Sequence, residues 1–340
     1  MKSLNQKDII RLNELLGKAE NVLITTHHNA DGDAIGSSLG LALVLRKAGK
    51  KVNIVTPNEY PHFLKWMPGT EMITVYKGRE DLVKKMVKEA GILFCIDYND
   101  SSRLKYAAET IFAGNAPVVL IDHHPDPMNI ADITISETDM GSASELIFHV
   151  IRETGMEHLI DSDVASVLYA GIMTDTGCFS FSCSYPGVFE VVAQLIRFGI
   201  PKEEIHSRIY DNYSDARMRL MGYCLNEKMI ILPQYNTAYI SLSQEEIKRF
   251  HHLPGDTEGF VNLPFSIKGI KMTAFFMEKK DHVKISFRSR GNFSVTEFAR
   301  SNFRGGGHMN AAGAEWDLTL ENTIQRFLDV LPKYSDKLQW

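Results

Sequence analysis

The chain has 340 residues, of which 44% are hydrophobic and 23% are charged, which is typical of a globular protein with two domains. Its net charge of −5 excludes a bulk positive field that would bind long nucleic acid. Its four cysteines lack the spacing of metal ligands or of a disulfide framework, so we expect buried free thiols. No apolar stretch is long enough to span a bilayer and the N-terminus predicts an amphipathic helix, so we expect a cytoplasmic protein.

The first half of the chain alternates strand and helix patterns. Apolar, β-branched runs predict buried strands at 22–26, 51–56, 92–97 and 118–122. Helical spacing predicts helices at 34–49, 142–154 and 163–176, and further helical segments from 186 onward. Alternation of this kind indicates an α/β fold whose mainly parallel sheet is flanked by helices.

From about Lys228 the predicted elements change. Shorter strands are predicted at 228–233, 237–242, 271–279 and 282–289, with helices near 243–251, 294–302 and 318–333. This pattern predicts a second, smaller α/β domain. We therefore divide the chain into an N-terminal domain (1–188), a helical connector (189–225) and a C-terminal domain (226–340).

Acids and histidines follow several predicted strands. They are His27, His28, Asp31 and Asp33 after the first, Asp97 after the third, Asp122, His123 and His124 after the fourth, and Asp175 in a later helix. Carboxyl ends of parallel strands meet at one edge of a sheet, where carboxylates repel one another unless cations lie between them. Oxygen and imidazole ligands suit manganese or a similar cation, and a pair of such cations activates water against a phosphate ester.

Each of these acids alone is also typical of a helix cap or a turn, and only the joint pattern favours a metal site. The stretch VLIDHHPD (119–126) does not by itself indicate which of its three adjacent titratable groups is functional.

Four segments in order resemble the motifs of the DHH phosphoesterase superfamily: HHNADGDAIGS, the isolated Asp97, IDHHPD and MTDTG. The stretch 286–313, with its GGGH signature, resembles the associated C-terminal DHHA1 domain. The resemblance covers nearly the whole chain. The length and layout of the chain are similar to those of the nanoRNase and pAp phosphatase proteins, some of which are labelled exopolyphosphatase-related.

This resemblance implies two manganese ions held by six side chains. One ion is expected at His27 and Asp31, the other at Asp33, His123 and Asp175, with Asp97 as the bridge. His27 is preferred over His28 because its spacing to Asp31 matches the motif. His124 is then expected at the substrate phosphate, where it stabilises charge or assists proton transfer, and Asp122 is expected to orient the imidazoles.

The C-terminal motif predicts substrate binding. Residues 304–308 are interpreted as a loop in which glycines allow close backbone approach to a phosphate or a base. Arginine adds a planar fork that suits phosphate. The expected substrate-binding residues are Arg288, Arg304, Gly305, Gly306, Gly307 and His308.

Two positions depart from the family pattern. Ala30 stands where proline is usual, which changes a turn but removes no ligand. Ser180 stands where many relatives carry an arginine after TDTG. This difference leaves the preferred substrate undetermined, but it does not affect the expected metal chemistry.

The resemblance implies a manganese-dependent phosphohydrolase that cleaves short oligoribonucleotides to mononucleotides, dephosphorylates 3′-phosphoadenosine 5′-phosphate (pAp) to AMP, or does both. Alternatives are a phosphodiesterase for pApA or cyclic di-AMP, and an exopolyphosphatase. A nucleotide-binding regulator without catalysis is the alternative from another class. Relatives also make a homodimer plausible.

Overall fold

The computed structural model describes residues 4–211, 213–253 and 255–339. The chain divides into two compact units, Met1–Asn212 and Tyr213–Trp340. This division lies inside the predicted connector. Among the described residues, every helix is too short or too polar to cross a membrane.

The first unit contains a six-stranded sheet in which every pairing is parallel. Its strands are β1 (Asn21–Thr26), β2 (Lys51–Thr56), β3 (Ile73–Val75), β4 (Ile92–Ile96), β5 (Val118–Asp122) and β6 (Ile133–Ser136). The spatial order is β3-β2-β1-β4-β5-β6. The central strand β4, ILFCI, is buried at every residue, as expected for a parallel sheet covered on both faces.

The strand order places a topological switch point between β1 and β4. From β1 the chain builds β2 and β3 on one side, and it then returns to place β4 on the other side of β1. Connections therefore leave these two strands in opposite directions, and a crevice forms beyond their carboxyl ends. His27 follows β1 and Asp97 follows β4, so both residues lie at this crevice.

The helices of the first unit are α1 (Gln6–Lys18), α2 (Gly32–Lys47), α3 (Glu80–Glu89), α4 (Ala108–Ile111), α5 (Ala143–Glu153), α6 (Ser162–Asp175), α7 (Pro186–Arg197) and α8 (Lys202–Tyr210). Helix α2 is buried along most of its length and packs against α5 and α6. A Cβ at Gly36 would lie 2.5 Å from the Val167 carbonyl oxygen, so glycine is needed where α2 meets α6. This approach brings the start of α2 close to the end of α6.

The second unit has a sheet of order β11-β12-β10-β9-β8-β7. Its strands are β7 (Met229–Leu232), β8 (Thr237–Leu242), β9 (Met272–Glu278), β10 (Val283–Ser289), β11 (Arg304–His308) and β12 (Ala311–Trp316), and its helices are α9 (Asp215–Tyr223), α10 (Gln244–Arg249), α11 (Val295–Asn302) and α12 (Leu320–Val330). Pairings are antiparallel except for β8 with β9. Edge-to-face contacts of Phe276, Phe298 and Phe327 help to form its core.

The predicted glycine loop at 304–308 is wrong, because this segment is the edge strand β11, paired with β12. A Cβ at Gly305 would lie 2.4 Å from the carbonyl oxygen of Gly313, and Gly307 has a φ of +143°. The glycines therefore permit close strand pairing. The expectation of buried thiols is correct for Cys95, Cys183 and Cys224 but wrong for Cys178, which is exposed in the turn after α6.

Candidate metal centre

The first group of possible metal ligands contains His27, Asp31 and Asp97. The Nε2 atom of His27 lies 3.5 Å from Oδ2 of Asp97 and 3.9 Å from Oδ2 of Asp31. Asp31 is the N-cap of α2, and its other oxygen accepts from the backbone amides of Asp33 and Ala34. The cap therefore fixes one carboxylate oxygen and leaves the second on the side of His27.

The second group contains Asp33, His123 and Asp175. The Nε2 atom of His123 lies 3.9 Å from Oδ2 of Asp33 and 3.6 Å from Oδ2 of Asp175. Asp33 lies in the first turn of α2, where a negative charge is favourable, whereas Asp175 ends α6, where it is unfavourable. A cation beside Asp175 would relieve that cost.

Asp97 lies between the two groups. Its Oδ2 faces His27 at 3.5 Å, while its Oδ1 faces Nε2 of His123 at 3.5 Å. The residue is 2% exposed, and among the described residues Oδ1 has no hydrogen-bond donor. A buried carboxylate oxygen without a donor is costly unless a cation is bound to it, so this side chain fits a bridging position between two divalent ions.

The two imidazoles are oriented by backbone carbonyl groups. Nδ1 of His27 lies 3.0 Å from the carbonyl oxygen of His28, and Nδ1 of His123 lies 3.3 Å from that of Met140. When each Nδ1–H donates to its carbonyl, the lone pair of Nε2 faces the carboxylates and is available to a metal. His28 instead packs its ring edge-on against Tyr106.

Two carboxyl groups of this cluster have raised pKa values. Burial and the charges of Asp97 and Asp175 raise the pKa of Asp33 well above its usual range. Burial and the charges of Asp31 and Asp97 also raise the pKa of Asp175 to about 7, although its side chain is 32% exposed. The acids thus repel one another, as expected for a site built around cations.

The histidines partly neutralise these acids. Burial by itself lowers the pKa of His27, but the close contact with Asp97 and the charge of Asp31 raise it to about 9. Burial would raise the pKa of Asp97, yet its contacts with His123 and His27 hold it well below the usual range. A metal ion that binds here must displace the imidazole protons, since only neutral imidazole is a ligand.

Asp122 and His124 form a pair that adjoins the cluster, since Nδ1 of His124 also lies 3.8 Å from Oδ1 of Asp97. Oδ1 of Asp122 lies 2.7 Å from Nδ1 of His124, and its Oδ2 accepts from the His124 backbone amide at 3.1 Å. Asp122 is fully buried, whereas the His124 side chain is 14% exposed. The carboxylate therefore fixes the imidazole, whose partly exposed ring is suited to proton transfer.

In the second unit, Arg288 and His308 lie at the same level of the sheet. Both residues pair with Ala311, Arg288 from β10 and His308 from β11, so all three side chains project from the same face. Ala311, which lies between them, has only a methyl side chain. Arg304, at the other end of β11, is exposed and forms an ion pair with Asp317.

Sequence reasoning missed two features. The amides of Ala143 and Ser144, at the start of α5, donate to Asp33 at 2.6 and 2.8 Å. Arg103 lies in a 3-10 helix (Ser101–Ala107) after β4. Its carbonyl oxygen accepts a hydrogen bond from the His28 amide at 2.8 Å, and its charge acts on His27. The arginine could have been found as the cation that follows the strand-end acid. The amide contacts join residues too distant in sequence for any local signal.

Comparison with known proteins identifies two matching domain families and several relatives of similar length. Residues 21–172 match the DHH family, N-terminal domain, and residues 250–335 match the DHHA1 domain. The bifunctional oligoribonuclease and PAP phosphatase NrnA of Thermus thermophilus is 29% identical over 91% of this chain and 89% of its own length. The protein of the same name from Bacillus subtilis is 26% identical over 88% and 91%.

Solved structures agree with these matches. An exopolyphosphatase-related protein from Bacteroides fragilis is 38% identical, with a TM-score of 0.96 over 99% of both chains. RecJ from Thermus thermophilus, in complex with Mn²⁺, has a TM-score of 0.57 at 13% identity, covering 98% of this chain and 54% of RecJ, and it shares the fold.

Proposed function

Since this chain belongs to the DHH/DHHA1 phosphoesterase family, we propose that it is a manganese-dependent hydrolase of short oligoribonucleotides and of pAp. The observation that carries the proposal is the position of Asp97, whose two oxygens face two separate groups of ligands. The name of the NrnA relatives supports this choice of substrates.

We assign the six ligands as follows. His27, Asp31 and Asp97 would hold one ion, and Asp33, His123 and Asp175 would hold the other together with Asp97. When bound, the ions supply Lewis-acid activation of water and neutralise phosphate charge. The donor set of carboxylate oxygens and imidazole nitrogens favours manganese over a thiolate-seeking metal.

The remaining side chains act on the substrate. His124, held by Asp122 through Nδ1, donates a proton from Nε2 to the oxygen that leaves the phosphorus. One oxygen of Asp122 contacts the ring at Nδ1 and the other accepts from the His124 backbone amide, so the carboxylate orients the ring. Arg288 and His308 in the second unit bind the nucleotide, with Ala311 between them too small to block it.

Arg103 is proposed to bind the phosphate in place of the arginine that Ser180 replaces. It is half-buried, its charge acts on His27, and among the described residues its guanidinium has no ion-pair partner. An arginine in this position is suited to an anionic ligand. We expect Arg103→Ala to raise KM for pAp about tenfold, and Ser180→Arg in that background to recover part of the loss, as steady-state kinetics would measure. The placement is contradicted by an unchanged KM in Arg103→Ala.

A substrate panel tests the proposed activity. The purified chain is incubated with Mn²⁺ and, in separate reactions, pAp, di- to pentaribonucleotides, pApA, cyclic di-AMP and polyphosphate, and released phosphate and mononucleotide are measured. We expect the fastest turnover with dinucleotides and pAp, and none in EDTA. Nucleotide binding without any turnover would establish a regulator instead.

Polyphosphate hydrolysis is the second candidate. The Bacteroides fragilis protein named exopolyphosphatase-related is more similar to this chain than the NrnA proteins cited above, at 38% against 29% and 26% identity. Polyphosphate has no base, so it does not need a nucleotide-binding surface. A kcat/KM for polyphosphate above that for every nucleotide in the panel would favour this activity.

A further inference from the structure

The segment Met140–Glu145 contacts two of the proposed metal ligands. The Met140 carbonyl oxygen lies 3.3 Å from Nδ1 of His123, and the amides of Ala143 and Ser144 donate to Asp33 at 2.6 and 2.8 Å. His123 and Asp33 belong to the same ligand group. The position of this segment therefore determines the positions of two ligands of the second metal.

Glu145 and Tyr185 together hold this segment at Gly141. The Gly141 amide donates to the Tyr185 hydroxyl oxygen at 2.8 Å and to Oε2 of Glu145 at 3.2 Å. The Tyr185 hydroxyl in turn donates to the same Oε2 atom. A Cβ at Gly141 would lie 2.6 Å from the carbonyl oxygen of Ser182, so only glycine allows the backbone to come this close.

The two side chains are suited to a lasting contact. Glu145 is 1% exposed and lies in the first turn of α5. Tyr185 is the N-cap residue of α7 but makes no side-chain cap bond there, so its hydroxyl is committed to the Glu145 contact. Burial and the neighbouring carboxylate raise the pKa of Tyr185, so the phenol stays protonated and keeps donating.

Two hydrogen bonds, to Tyr185 and to Glu145, hold the Gly141 amide. A cavity of about 640 Å³ adjoins the pair and is lined by both side chains together with His149 and Glu190. Loss of the hydroxyl would leave the Gly141 amide without its shorter hydrogen bond, which frees the turn to move.

We propose that Glu145 and Tyr185 are positioning residues for the metal held by Asp33, His123 and Asp175. They fix Gly141, and Gly141 in turn fixes the Met140 carbonyl against His123 and the start of α5 against Asp33. This role rests on the two metal sites of the proposed function but not on the identity of the substrate. Outer contacts of this kind typically change metal affinity 10- to 100-fold.

The test is a calorimetric Mn²⁺ titration of the full chain without substrate. Asp31→Ala and Asp175→Ala identify which binding step belongs to which site. Tyr185→Phe removes only the hydroxyl, and we expect it to weaken the Asp175-dependent step about tenfold while the Asp31-dependent step is unchanged. Excess Mn²⁺ should restore kcat in this variant. Tyr76→Phe, which loses a hydroxyl bonded to Thr110 at 2.8 Å, is the matched control and should change neither step.

Glu145→Gln is the second variant, and it keeps an oxygen that can accept from Gly141. We expect a smaller loss at the same step, and the double variant should lose less than the product of the single losses, because both changes break one contact network.

Equal weakening of both steps, or a lower melting temperature with unchanged affinities, would overturn the positioning role. So would a wild-type chain that binds no second Mn²⁺. Normal two-step binding without hydrolysis of any substrate contradicts the proposed function alone.

Discussion

The carboxyl edge of the first sheet and the outer edge of the second sheet hold their candidate functional groups in different ways. At the first edge, Asp33, His123 and Asp97 are almost completely buried, and Asp33 and His123 are fixed by backbone groups. At the second edge, Arg304 is exposed and the glycines of β11 are partly exposed. Fixed positions of this kind suit metal coordination, whereas exposed groups suit a ligand of variable shape.

The largest effect is expected at the bridging acid. Asp97→Ala removes an oxygen from each ligand group and leaves the remaining acids to repel one another, so we expect kcat/KM to fall at least about a thousandfold with every substrate. Steady-state kinetics in saturating Mn²⁺ measures this. Asp81→Ala, at an exposed position on α3, is the control and should retain full activity. Substantial activity in Asp97→Ala would contradict the bridging role of Asp97.

A smaller effect is expected at the proton donor. His124→Ala should reduce kcat about a hundredfold, because general acid catalysis is lost, while Mn²⁺ affinity stays within about twofold. Asp122→Asn should reduce kcat less, since the ring remains but loses a charged partner. Single-turnover rates and Mn²⁺ titrations separate the two effects. If His124→Ala abolishes metal binding instead, His124 is a ligand and our assignment is wrong.

The pH dependence of metal binding sharpens the contrast further. His27 has a pKa raised to about 9 and Asp175 a pKa raised to about 7, so both hold protons at pH 6 and must release them to a metal. Mn²⁺ affinity should therefore rise from pH 6 to pH 8, by about tenfold per pH unit for each proton released. Titrations in buffers of different ionisation enthalpy count those protons. A pH-independent affinity would contradict the protonated cluster.

The smallest effect is expected at the proposed nucleotide-binding arginine of the second sheet. Arg288→Ala should raise KM for nucleotides about tenfold with kcat nearly unchanged, because the arginine binds substrate and transition state alike. Polyphosphate kinetics should change less. Arg290→Ala is the matched control, since Arg290 is exposed and lies over the Phe265 ring at 4.7 Å. An unchanged nucleotide KM in Arg288→Ala would leave the second sheet without its proposed role.

The same contrast explains what the sequence could predict. Strands β1, β4 and β5 were predicted because buried parallel strands are continuous apolar runs, and their end residues follow at once as candidates for one site. The three- and four-residue strands β3 and β6 carry too short a pattern to be found. Strand β11 was taken for a loop because glycine has no side chain to alternate.

Contacts that orient the ligands were beyond prediction. The Asp33 carboxylate meets the amides of Ala143 and Ser144 across more than 100 residues of sequence. Such contacts depend on how α2 packs against α5 and α6, with glycine at their closest approach. Backbone amides and carbonyl groups carry no residue-specific signal, so the sequence indicates the candidate ligands but not the contacts that orient them.

The most direct test of the central claim is electron paramagnetic resonance of the chain loaded with Mn²⁺. Two ions bridged by Asp97 should give an exchange-coupled spectrum at saturation in the wild type, since bridged metal pairs lie about 3.5–4 Å apart. Asp97→Asn should reduce this to the six-line signal of isolated Mn²⁺. A six-line spectrum in the wild type at saturating Mn²⁺, or coupling that survives in Asp97→Asn, would contradict the bridged pair.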